Sequence, residues 1–172
     1  MRLTEFNALD PASATDAVSP ALDIPRWVGE VVAARPFGSV ADVLEVARHA
    51  AHPFTDAEID QALSHHPKIG QRDESESEEA KHSRSEQASL GPSAPSTRAA
   101  LAAGNRDYES RFGHVFLIRA AGRSHEEILS ELHRRLDNSP TAERAEVAEQ
   151  LREIAVLLSL IHISEPTRQA EI

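Results

Sequence analysis

Apolar residues recur along this chain at helical spacing, and small polar residues stand where each run begins. In "SVADVLEVARHA" the residues Val40, Val43, Leu44, Ala47 and Ala51 fall on one helical stripe. Ser39 followed by Asp42 predicts a reciprocal capping box at its start. "TDAEIDQAL" repeats the opening with Thr55 and Glu58. "SHEEILSELHRRL" opens on Ser124 and Glu127 and lines up Ile128, Leu129, Leu132 and Leu136 on one face. In "SPTAERAEVAEQLREIAVLL" Ser139 is placed to cap, and Pro140 takes the first helical position, where its missing N–H costs nothing. Val147, Leu151, Ile154, Ala155 and Leu158 then form the stripe. "PRWVGEVVAAR" and "STRAALAAGNRDYESRF" predict two further helices. Only "HVFLIRA", His114 to Ala120, has the content of a strand, and no second run stands ready to pair with it. The pattern predicts an all-α fold, a single-domain bundle of seven or eight helices, without internal repeats.

Between Gln71 and Arg84 the periodicity gives way to "QRDESESEEAKHSR", a polar, acidic run that reads as a solvated loop or a lid. "GPSAPS", Gly91 to Ser96, reads as a connector. At the other end the helix from Pro140 is expected to run to about Leu158, after which "LSLIHISEPTR" matches the in-frame translation of a common transposon-type sequencing adapter. The expected organisation is one helical domain over residues 1–157 and a non-native tail over 158–172.

Composition narrows the function. The 172 residues suffice for one domain with a real core. Apolar residues make up 40% and charged residues 27%, as in ordinary globular proteins. The formal charge of −10 argues against nucleic acid, whose affinity comes mainly from Lys and Arg. No run approaches the roughly 20 apolar residues of a membrane span, and "MRLTEFNALD" has no apolar signal core. Cysteine is absent, which removes disulfides and thiolate chemistry and suits a reducing, cytoplasmic location. An anionic small substrate would need a local positive cluster, and His65, His66, Lys68 and Arg72 supply one.

Three stretches carry candidate chemistry. The first is "ALSHHPKIG". A residue before proline is pushed out of the α region, so the helix from Thr55 should end near Ser64 or His65, with His66 on an extended corner before Pro67. That corner is either a stiff mount for a catalytic imidazole or an incidental helix end. The second is "HSRSEQASLG". Ser83 and Glu86 have capping-box spacing; the same helix start offers free N–H groups to a polar ligand, with the Glu86 carboxylate beside them. The third is "YESRFGHVFLIRA". Gly113 breaks the helix, and an extended segment outside a sheet must find other partners for its backbone groups, a polar ligand among them. Tyr108, Phe112 and Phe116 recur at or near helical spacing, and Phe112 reads as core packing. Two rival classes stand beside an enzyme of this kind. One is a non-enzymatic helical interaction module presenting the acidic run. The other is a metal-dependent hydrolase using His49, His52 and His66, which lacks an H-E-x-x-H pattern or a clustered carboxylate.

Taken in order, "HPKIG", "S-x-x-E-Q-A-S" and "Y-x-x-R-F-G-x-x-F-L-I-x-A" resemble the OHCU decarboxylase family, the 2-oxo-4-hydroxy-4-carboxy-5-ureidoimidazoline decarboxylases of urate catabolism. The likeness takes in "FNALD", "RPF" at Arg35 to Phe37, and the "EEIL…RRL.N" after Ser124, over roughly residues 3 to 157. It implies an all-helical homodimer that uses no cofactor and no metal and forms (S)-allantoin with loss of CO2. It implies His66 and Glu86 as catalytic residues. It implies Pro67, Ser83, Arg84, Ser85, Glu86, Gln87, Phe116, Leu117, Ile118, Arg119 and Ala120 as substrate-binding residues. The chain departs from the family at one point: many relatives carry a small or apolar residue in place of Arg119 and an arginine in place of Ala121.

Overall fold

A computed structural model of the chain describes residues 1–64 and 94–163. Among these it contains eight α-helices, a short 3-10 turn and no strand. The all-α class follows the periodicity. The helices are α1 (Leu3–Ala8), α2 (Pro11–Val18), α3 (Pro25–Ala33), α4 (Val40–His49), α5 (Asp56–Ser64), α6 (Pro95–Phe112), α7 (His125–Leu136) and α8 (Pro140–His162). The two clearest start signals behave as their side chains require. Ser39 accepts from the Asp42 amide while Asp42 accepts from the Ser39 amide. Ser124 and Glu127 do the same at the head of α7. Each box satisfies two of the amides that a helix start leaves unpaired. α8 continues to His162, past the expected end at Leu158, and Ser159 and Ile163 are buried.

The chain divides into two compact units. Residues 1–55, with those from Arg152 onward, form the first. Its core holds Phe6, Ile24, Trp27, Val31, Val43 and Ala47. "FNALD" and "RPF" meet here. Asn7 donates to the Phe37 carbonyl at 2.8 Å and accepts from the Phe37 amide at 2.9 Å. The Arg35 guanidinium donates to the carbonyls of Phe6 and Leu9, which takes up acceptors at the end of α1. The end of α4 is treated likewise. Trp27 Nε1 donates to the Ala47 carbonyl, and Arg152 donates to those of Arg48 and Ala50, each at 2.8–2.9 Å. Ala51 follows at a φ of 52°, which costs a non-glycine residue about 1–3 kcal/mol and needs support from its surroundings. Glu30 accepts its amide at 2.7 Å, and Arg26 donates to its carbonyl at 3.0 Å.

Residues 56–151 form the second unit. Its core gathers Leu101, Tyr108, Phe116, Ile118, Ala120, Ile128 and Leu132, with Phe112, Leu129 and Leu136 packed against it. α6 and α7 approach closely where Gly104 faces Leu132. A Cβ built on Gly104 would stand 2.6 Å from Leu132 Cδ2 and 3.2 Å from its Cγ. Leu132 is fully buried, so its side chain has to shift within a packed core to make room.

Gly104→Ala therefore tests this packing. Better helix propensity offers about 1 kcal/mol, but overpacking a close-packed core costs typically about 1–3 kcal/mol. The expected result is a lower chemical-denaturation midpoint than wild type, and a Leu132→Ala change in the same chain relieves part of the clash. A midpoint at or above wild type for Gly104→Ala alone contradicts the close approach.

Candidate functional site

The three stretches singled out by sequence fare differently. His66 and Pro67 lie outside the described residues, as do Ser83, Arg84, Ser85, Glu86 and Gln87. The third stretch, Phe116 to Ala120, is described in full.

That stretch begins where α6 stops. Gly113 takes a φ of 77°, the left-handed cap that an L side chain rarely adopts, and its amide closes on the Glu109 carbonyl at 2.8 Å. From Val115 to Ala120 the backbone is neither helix, turn nor sheet. Phe116, Leu117, Ile118 and Ala120 are buried and Arg119 is half-buried. A turn at Ala121 and Gly122 then leads into Ser124 and α7. Buried backbone polar groups away from a ladder have to be satisfied, and two of them here meet side chains. The Leu117 carbonyl accepts from Arg135 Nη1 at 2.8 Å. The Arg119 amide donates to Gln150 Oε1 at 2.8 Å.

Arg135 is the centre of a charged network inside the core. Its side chain is 1% exposed and that of its partner Glu143 is 0% exposed. Nε and Nη2 donate to Glu143 Oε1 at 2.9 and 2.5 Å. The Tyr108 hydroxyl donates to the same oxygen, and Asn138 Nδ2 donates to Glu143 Oε2 at 2.8 Å. The guanidinium lies over the Phe116 ring, 4.7 Å from its centroid, and Tyr108 meets that ring edge-on at 5.1 Å. Burial, and then the bond to Glu143, push the Tyr108 hydroxyl well above its ordinary range, so it stays protonated and remains a donor. Further out, Arg134 donates to both oxygens of Glu146, at 3.0 and 2.5 Å. Asn138 joins the two layers through a 2.9 Å bond to Glu146 Oε1.

Sequence reasoning did not single out Arg135, Glu143 or Gln150 as supports of this stretch. A signal was available for two of them. Arg135 follows Ile128 and Leu132 on the buried stripe of α7, and Glu143 precedes Val147 on that of α8. A charge on each of two apolar stripes calls for pairing, because an unpaired buried charge is costly. Gln150 carries no comparable mark. The histidines weighed for a metal are accounted for differently. His49 is exposed and lies 3.1 Å from Glu45 on the same helix, and His52 is exposed. Among the described residues no group of three or more His, Cys, Asp or Glu side chains is placed to hold a metal ion. Nor is any described helix long and apolar enough to cross a membrane.

Helices and stretch together define an all-α protein with a buried, non-helical segment fixed by side chains. Residues 7–157 match the model of the OHCU decarboxylase family. A 2-oxo-4-hydroxy-4-carboxy-5-ureidoimidazoline decarboxylase from Haloferax volcanii is 29% identical over 159 residues, which cover 91% of this chain and 93% of that one. The crystal structure of an OHCU decarboxylase in the presence of (S)-allantoin superposes with a TM-score of 0.69 at 25% identity, over 84% of this chain and 94% of the other. An (S)-allantoin synthase shares the fold at a TM-score of 0.69 and 13% identity, over 95% of this chain and 54% of its own length. The chain belongs to the OHCU decarboxylase family.

The network makes a pH prediction. Hydrogen bonds from Arg134 hold the Glu146 carboxyl at about 2, against an ordinary 4.5. A carboxyl depressed on folding contributes stability that is fully present above its unfolded value and is lost as pH falls through the folded one. Glu146→Gln should thus melt below wild type at pH 6. The gap should close as pH falls from about 4.5 to about 2, where wild-type Glu146 is itself protonated. Thermal melts of both proteins across that range read this directly, and a gap independent of pH contradicts it.

Proposed function

We propose that this chain is a cofactor-independent carboxy-lyase of urate degradation that converts 2-oxo-4-hydroxy-4-carboxy-5-ureidoimidazoline to (S)-allantoin and CO2. The observation that carries the reading is the family match from residue 7 to 157, which runs through all three candidate stretches. In this reaction the bond between a ring carbon and the carboxylate breaks and CO2 leaves. The electron pair passes into the unsaturated system of the ring itself, so the chemistry calls for neither pyridoxal phosphate nor a metal. One proton is then delivered to one face of the resulting carbanion equivalent, and that choice of face sets the handedness of the product. The protein has to orient the carboxylate, exclude water and place the proton.

His66 is assigned the proton, because imidazole titrates near neutral pH and Pro67 restricts the backbone that carries it. Glu86 orients that imidazole or holds the substrate hydroxyl. Pro67 and the run Ser83, Arg84, Ser85 and Gln87 complete the binding surface, with amides at the helix start that the Ser83–Glu86 spacing predicts suited to the polar edge of the ring. Phe116, Leu117, Ile118, Arg119 and Ala120 supply the remaining contacts. Residues 1–157 make up the catalytic domain and 158–172 are foreign to it; the end of the family match at residue 157 supports that division. A homodimer is proposed with it, for which sedimentation at micromolar concentration should give twice the 18.8 kDa chain mass, and only monomer would remove it. A cytoplasmic location suits a chain without cysteine, and fractionation with a cytoplasmic marker checks it.

The test uses freshly enzyme-generated substrate, with circular dichroism reading the handedness of allantoin above the racemic spontaneous background. Wild type should give the (S) product. His66→Asn should lose about 10²–10⁴-fold in turnover, as expected for removal of a general acid–base group, and His65→Asn far less. Glu86→Gln should lower turnover more than it lowers the melting temperature. An (S) product at near wild-type rate from His66→Asn, or a dead His65→Asn, overturns the assignment.

A further inference from the structure

Leu117 and Arg119 are two positions apart, and a side chain engages the carbonyl of the first and the amide of the second. In a parallel sheet a single residue of the neighbouring strand bonds to that pair, donating to one and accepting from the other. No strand lies beside this stretch among the described residues. Its place is taken by two side chains, Arg135 from α7 as donor and Gln150 from α8 as acceptor. The two anchors differ in what else they do. Arg135 is also bonded to Glu143 in the core, so its loss threatens the fold. Gln150 is only half-buried on α8, so its loss removes a single acceptor from one amide.

We propose that Gln150 is a positioning residue for substrate binding: its carboxamide oxygen holds the Arg119 amide and so fixes the stretch Phe116–Ala120 in the shape that meets the ligand. This rests on the proposed function, which sets substrate against that stretch. Gln150 does not touch the reacting atoms. Its removal therefore weakens binding and leaves the chemical step in place, which appears as a raised KM with little change in kcat. A glutamate at this position keeps an oxygen acceptor for the amide, whereas leucine keeps the bulk and loses the acceptor.

The experiment compares wild type, Gln150→Leu and Gln150→Glu on enzyme-generated substrate, with melting temperature and amide hydrogen exchange on the same samples. Gln150→Leu should raise KM on the order of tenfold, the weight of one net hydrogen bond. Its kcat should stay within about threefold, and only the amides of the stretch should exchange faster. Gln150→Glu should recover most of the KM. Unchanged kinetics in Gln150→Leu, or equal damage in Gln150→Glu, overturns the proposal. So does a fall in kcat that tracks the melting temperature across the variants, which marks a merely structural role. If Gln150→Leu fails to fold, wild type still decides, because an unprotected Arg119 amide in its exchange pattern also overturns the proposal. A wild type without decarboxylase activity removes the proposed function itself, whereas an active wild type with an indifferent Gln150→Leu removes this inference alone.

Discussion

Arg135 and Glu143 meet in the core of the second unit with side chains 1% and 0% exposed. Taking two charges out of water is expensive, and their mutual attraction offsets that only when geometry is good and the remaining donors and acceptors are filled. Here they are filled. Tyr108, Asn138 and the Leu117 carbonyl occupy the other positions, and the guanidinium faces the Phe116 ring. Removing either charge alone would strand the other, at a cost of about 3–5 kcal/mol. Such a pair adds little to net stability relative to an apolar core, but its hydrogen bonds tie together the elements that carry it. Tyr108 ends up against α8, Arg135 against Glu143, and the chain after Gly113 against both. This interaction places one of the two side-chain anchors of the non-helical stretch, at the Leu117 carbonyl.

The same device recurs in the first unit. Around two helix ends, backbone acceptors left without a next turn meet a donor from a long side chain elsewhere in the chain. Arg35 does this at the end of α1, and Trp27 and Arg152 do it around the end of α4. Arginine suits the task because its planar fork spans two carbonyls at once and stays charged at any relevant pH. A short helical protein with many ends and irregular turns, low in aromatic residues at 4%, has to fix those ends with polar contacts as well as with packing.

Much of the fold was legible as pattern. α4 and α7 begin on the serines that the capping boxes marked, and α6 stops at Gly113 before the run with strand-like content. That run is non-helical in the structure, and the described residues contain no strand. α1 and α2 were not resolved by periodicity, because six and eight residues give too few turns for a stripe to stand out. The end of α8 was set four residues short, because the adapter-like sequence draws attention away from "LSLIH", whose leucines and isoleucine still permit a helix. Of the candidate site only Phe116–Ala120 lies among the described residues. Motif order pointed to His66, Glu86 and Phe116–Ala120, whereas Arg135 and Glu143 appear in sequence only as charges out of place on apolar stripes. The bond from Arg119 to Gln150 joins residues 31 positions apart, and no local signal encodes such a contact.

The proposed function sets substrate against the stretch of backbone that Arg135 and Gln150 anchor. The most direct measurement is a titration of (S)-allantoin into isotopically labelled protein, followed by amide chemical shifts in solution. The account predicts saturable shifts of the Leu117, Ile118 and Ala120 amides at ligand concentrations that leave the amides of Ala50 and Ala51 unmoved. Saturable shifts that bypass residues 116–120 would contradict it.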